Sequence, residues 1–186
     1  MADTKISAAT AVATPAGTDQ YATNQGGLSK RTTLSQINTF VRPFKIVAGS
    51  DVTSTDNTNW ADITGLTFAV VNAAEYIFEA VLFTTSAATT TAIQISCNGP
   101  TTTRLRYAVH NAIAASGNAT DVYAVQTAYD TVVNPATGPG ATALPVYVNG
   151  YIKPSADGTL ALRLRSEISA STVTVLQDSY MIITRI

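Results

Sequence analysis

Between residues 43 and 186, apolar and polar residues alternate with a period of two, and turn-forming residues break the alternation at short intervals. Period two is the repeat of a β-strand, whose successive side chains point to opposite faces. The pattern is cleanest in Leu160-Ala161-Leu162-Arg163-Leu164-Arg165, with three leucines on one side and two arginines on the other. Further strands are expected over 44–47, 60–70, 76–83, 92–97, 103–110, 121–129, 143–152 and 173–186, the last divided near Gln177-Asp178. In 76–83 both faces are apolar, which places that strand centrally. Asn72-Ala73-Ala74, Asn98-Gly99-Pro100 and Pro154-Ser155-Ala156-Asp157-Gly158 supply turn chemistry. About eight strands at roughly 8 to 12-residue spacing are the signature of an all-β sandwich or barrel.

Residues 1–42 read differently. Ala, Thr, Ser and Gly dominate 1–27, without an apolar run able to bury itself. Thr33-Leu34-Ser35-Gln36 then has the form of a capping box, and Leu34, Ile37 and Phe40 or Val41 fall on one helical face. Arg42-Pro43 ends the expected helix, because proline disfavours the α conformation in the residue before it. About two turns with one apolar stripe are not stable alone. The expectation is an extended attachment arm over 1–42, its short helix docking through Leu34, Ile37, Phe40 and Val41, ahead of one β-domain over 43–186.

Composition narrows the function classes. The net charge is −1 with 12% charged residues, so there is no basic footprint for nucleic acid. Cys97 stands alone, which rules out an intrachain disulfide and a thiolate metal cluster. Lys5 is followed by no apolar h-region, and no run approaches the roughly 18 residues of a membrane span, so neither secretion by a signal peptide nor membrane insertion is expected.

Catalytic chemistry finds little material. A triad would have to be built on His110, the only histidine, yet no Gly-x-Ser-x-Gly elbow accompanies it. A histidine at a strand end meeting solvent or a subunit neighbour is the simpler reading. Glu75 and Glu79, four apart on a strand, lie about 13 Å apart, too far for a glycosidase pair. The loop 51–57 has the oxygen density of a calcium site but lacks its Asp-x-Asp-x-Asp-Gly spacing and distal Glu. Cys97 reads as a small buried hydrophobe, and Asn118-Ala119-Thr120 as an incidental sequon. Neither Gly26-Gly27 nor Gly138-Pro139-Gly140 precedes the lysine and helix of a phosphate loop. No enzyme activity, cofactor or metal is expected. The strand-borne aromatics, Tyr107, Tyr123, Tyr151 and Tyr180 among them, fit cross-strand packing, a sugar platform or a subunit interface.

Lys5-Ile6-Ser7-Ala8, Thr14-Pro15-Ala16-Gly17-Thr18-Asp19, Asn24-Gln25-Gly26-Gly27 and Ser29-Lys30-Arg31-Thr32-Thr33-Leu34-Ser35-Gln36-Ile37 together resemble the N-terminal segment of tail, fibre and other minor structural proteins of tailed bacteriophages. In the body, Trp60-Ala61-Asp62-Ile63-Thr64-Gly65-Leu66, Glu75-Tyr76-Ile77-Phe78-Glu79, Asn149-Gly150-Tyr151-Ile152 and Gly158-Thr159-Leu160 resemble phage β-sandwich domains related to the tumour necrosis factor and C1q jelly rolls. The resemblance implies a jelly-roll body, virion localisation and a homotrimer with Tyr107, Tyr123, Tyr151 and Tyr180 as candidate interface residues. It also implies attachment to capsid, collar or tail proteins through the N-terminal arm. There is no long fibrous repeat and no peptidase or lyase module, which argues against a fibre shaft or a depolymerase. A receptor-binding alternative would use 134–140 and 112–118 to hold host surface polysaccharide.

Overall fold

The computed structural model describes residues 20–25, 28–33, 43–112, 122–132 and 137–186, and every regular element among them is a strand. The chain divides into two compact units, Met1–Arg42 and Pro43–Ile186.

In the first unit, β1 (Gln20–Gln25) and β2 (Leu28–Thr33) pair antiparallel, with Gln25 opposite Leu28 and Gly26-Gly27 between them. A Gly-Gly pair joining two strands is the two-residue hairpin signal, since glycine accepts the positive φ of the tight turns. Within the arm, two extended segments pair with each other as a hairpin. The expected helix, with Leu34, Ile37, Phe40 and Val41, lies outside the described residues.

The second unit is an antiparallel β-sandwich. Its larger sheet runs in the order β3 (Phe44–Val47), β13 (Tyr180–Arg185), β6 (Tyr76–Ser86), β10 (Leu144–Pro154), β8 (Thr102–Asn111) and β9 (Val122–Gln126). At the far end of β6, β12 (Val173–Val175) takes the place of β13 and pairs in turn with β4 (Val52–Ser54). The smaller sheet is β5 (Ala61–Val70), β11 (Gly158–Ser166) and β7 (Ile93–Asn98). Strand β6 is central, between β13 and β10.

One apolar core fills the space between the sheets. Tyr76, Phe78, Ala80 and Leu82 of β6, Val146, Val148 and Ile152 of β10, and Leu105, Tyr107 and Val109 of β8 meet Ile63 and Leu66 of β5, Leu160, Leu162 and Leu164 of β11, and Ile93, Ile95 and Cys97 of β7. At about 25 cal/mol per Å² of apolar surface, burial on this scale is the main favourable contribution to the fold. The clean alternation of 160–165 is reproduced, with its leucines inside.

Two local features escaped period-two reading. Strand β4 lies inside the polar stretch read as a loop, because a three-residue strand with one apolar residue carries no usable period. Ile63 and Leu66 both face inward despite an odd spacing, because Gly65 (φ +89°) bulges the strand and shifts the register opposite Ala161 and Arg163. The division of 173–186 falls as expected, at Asp178 (φ 66°), where Asp51 accepts a 2.7 Å hydrogen bond from the Gln177 N–H.

Candidate functional site

The outer face of the larger sheet is the most distinctive surface of the second unit. Strict alternation dictates its membership: each inward core residue leaves its neighbours pointing out. On β8, Arg104, Arg106, Ala108 and His110 are outward; on β10, Tyr147, Asn149, Tyr151 and Lys153. Strand β6 contributes Ile77, Glu79, Val81 and Phe83, so its second apolar face is not covered by any layer among the described residues of this unit.

Register aligns these residues into rows. Val47, Tyr180, Val81, Tyr147, His110 and Tyr123 are successive cross-strand neighbours on β3, β13, β6, β10, β8 and β9. The His110 ring lies 6.1 Å from that of Tyr147 and 6.3 Å from that of Tyr123. Lys45 sits 5.0 Å over the Tyr180 ring. Tyr123 is 64% exposed, Val125 58% and Tyr147 43%. Six strands at about 4.8 Å spacing make this row roughly 24 Å long.

Toward the other end of the strands the face becomes cationic. Arg104 lies opposite Lys153, and Arg106 opposite Tyr151. The Lys153 ammonium donates to Glu75 Oε1 at 2.7 Å, and the Thr103 hydroxyl donates to the Lys153 carbonyl at 3.2 Å. The hydrogen bond from Lys153, and a second from the Tyr151 hydroxyl, hold the Glu75 carboxyl below its ordinary range. The same contact raises Lys153, while desolvation first and Glu75 second raise Tyr151. Two shallow depressions meet at Tyr151. One, of about 300 Å³, is bordered by Tyr123, Val125 and Arg106 over a floor of Ala108, Asn149 and Gly150; the other, of about 350 Å³, by Glu75, Thr103, Arg104 and Lys153.

Of the four tyrosines named as interface candidates, Tyr123, Tyr151 and Tyr180 lie on this outer face, and Tyr107 is corrected. It is 1% exposed within the chain itself and points inward. Its hydroxyl pairs with Ser96 Oγ at 2.8 Å and Thr131 Oγ1 at 2.9 Å, tying β8 to the edge of β7, so it has no surface to offer a neighbour. Tyr147 joins them on this face; its register with His110 and Tyr123 is not visible in a linear pattern.

The remaining sequence candidates sit in structural roles. Cys97 is buried, and desolvation pushes its thiol upward, away from the nucleophilic thiolate. Asp56 caps its own loop, accepting from the Thr58 N–H at 2.7 Å and the Asn59 N–H at 2.9 Å. Gly138 and Gly140, in the loop proposed for polysaccharide contact, are buried, and Gly140 exchanges hydrogen bonds with the Ser86 N–H and Oγ. Residues 134–136 of that loop and 113–118 of the other lie outside the described residues. On the smaller sheet a cleft of about 370 Å³ is bordered by Asp62 and Asp157. Both carboxylates are engaged within the chain: Asp62 accepts from Arg163 Nε, and Asp157 from the Asn72 N–H, each at 2.7 Å.

No family model matches this chain, and no curated protein matches it. A chain in the structure of infectious bursal disease virus, Gx strain, aligns over 86% of this chain with 8% identity and a TM-score of 0.29. The match spans 38% of the length of that viral chain. A likeness at this level carries no weight for the function, which is argued below from the chain itself.

Proposed function

We propose that this chain is a non-enzymatic structural protein of a tailed-bacteriophage virion, in which residues 43–186 associate as a homotrimer and residues 1–42 fasten the assembly to capsid, collar or tail proteins. The observation that carries this reading is the uncovered aromatic row from Val47 to Tyr123 on a sheet whose central strand is apolar on both faces. Contiguous exposed apolar surface on this scale marks an interaction site, and tyrosines are enriched where two subunits meet.

Charge favours a cyclic arrangement over a two-fold pair. The outer face carries Lys45, Arg104, Arg106 and Lys153 against Glu75 and Glu79, so an isologous contact would set like charges against one another. Elsewhere on the body Asp51, Asp62, Asp157, Glu167 and Asp178 give the surface an acidic character. A heterologous contact of the aromatic row with a different surface avoids the like-charge clash, leaves the Arg104 end of the strands open, and closes into a ring with three copies. The N-terminal phrases that resemble phage structural proteins supply the attachment role. A hairpin of two strands is marginal in isolation, so the segment gains its order from the protein it meets.

The test is the solution mass of the full chain by light scattering, alone and with Tyr123→Glu plus Tyr147→Glu. Three copies falling to one in the variant support the proposal; a monomeric parent chain overturns it.

A further inference from the structure

We infer that the cationic end of the larger sheet binds an oxyanion carried on a sugar, a uronate or a phosphorylated saccharide, with Arg104 and Arg106 on the anion and Tyr151 against the ring. This inference does not rest on the trimer.

The described cations are otherwise well partnered. Arg163 binds Asp62, Asp130 and the Trp60 carbonyl; Arg165 binds Gln94 and the Thr58 carbonyl and stacks on Trp60; Lys153 binds Glu75; Lys45 covers Tyr180. Arg104 and Arg106 differ: among the described residues neither guanidinium makes a hydrogen bond or ion pair. They are two residues apart on one face of β8, so their stems stand about 6.8 Å apart. Side chains of that length can reach one oxyanion from the two depressions they border, and each guanidinium can bind carboxylate or phosphate through two parallel N–H donors.

Cross-strand placement strengthens the case. Arg104 faces Lys153, and like charges directly opposite on neighbouring strands repel. Glu75 bonds Lys153 and lies within the field of Arg104, so one carboxylate serves two cations and an anionic ligand would supply the missing charge. The two depressions meeting at Tyr151 give such a ligand a seat. Each falls near the lower limit of small-ligand sites, about 300 Å³, which suits one or two sugar units. The small Ala108 side chain keeps the floor low, so a pyranose can lie against the Tyr151 ring while its hydroxyls reach Thr103 and Asn149.

The experiment is calorimetric titration of the full chain at low ionic strength with trigalacturonate, glucose 6-phosphate, maltotriose and inorganic phosphate, repeated with Arg104→Gln and Arg106→Gln. Saturable binding of trigalacturonate or glucose 6-phosphate is expected, weakened at least fivefold by either substitution and weakened by added salt, with maltotriose silent. Light scattering on the same samples should show an unchanged mass, so that loss of ligand is not loss of assembly. Undiminished binding in both variants, equal binding of maltotriose, or no binding of either acidic sugar overturns the inference. Inorganic phosphate binding as tightly as both sugars overturns the part assigned to Tyr151.

Discussion

Gly150 stands at the middle of β10, paired with Phe78 on β6 and Tyr107 on β8, and points into the core. A methyl group there would sit 2.8 Å from Tyr107 Cβ and 2.6 Å from Phe78 Cε1, well inside the ordinary contact distance. The glycine is the space into which two aromatic rings fold. Overpacking of a dense core costs about 1–3 kcal/mol. Replacing a mid-strand glycine recovers about 0.5–1 kcal/mol of backbone entropy. Gly150→Ala should therefore lose about 1–2 kcal/mol, a fall of roughly 2–8 °C in Tm for a protein of this size. Urea unfolding followed by Trp60 fluorescence, at fixed protomer concentration because association is linked to stability, measures the loss. Gly49→Ala is the control: nothing lies within 4 Å of its Cβ position, so it should be neutral or slightly stabilising. Shortening the ring should make room, so Phe78→Leu with Gly150→Ala should be more stable than the sum of the single losses implies. Wild-type stability in Gly150→Ala, or strict additivity in the double variant, would refute the packing described for this strand.

Tyr107→Phe removes a buried hydroxyl bonded to Ser96 and Thr131, and should cost about 1–2 kcal/mol in the same assay. The mass of the assembly should not change, because the ring lies inside the subunit; dissociation would contradict that placement. Asp56→Asn tests the acid response of the loop before β5. The Asn59 backbone N–H, the Asn59 side chain and the Thr58 N–H hold the Asp56 carboxyl well below its usual value, in that order of importance. Because the folded-state pKa lies below the unfolded value of about 3.9, this contribution is complete above that value and lost as pH falls below it. The variant should show a flatter decline of stability with acid below about pH 4; an unchanged decline would remove Asp56 from the account.

Legibility followed the length and regularity of each element. The 160–165 run and the 103–110 strand are readable because one face is uniformly apolar and inward while two arginines mark the other, so period two survives intact. Gly65 breaks the phase within β5, and a single inserted residue hides Ile63 from any regular template. The paired strands β1 and β2 carry no apolar alternation, so nothing in their apolar pattern marks their pairing. The phase of β8 already set Tyr107 beside Leu105 and against the arginines, so its burial was implied even as it was assigned to an interface. The outer face was the least readable feature. Its rows arise from register among strands far apart in sequence, such as β9 and β3, and a linear pattern fixes which face a residue takes but not which residues become neighbours.

The attachment role of residues 1–42 is tested most directly by particle incorporation. Full-length chain and the 43–186 fragment, each tagged, would be supplied during assembly of the parent particle, and purified particles assayed for both. The account predicts full-length chain on the particles and none of the fragment, although the fragment keeps the solution mass of three copies. Equal incorporation of the fragment would contradict it.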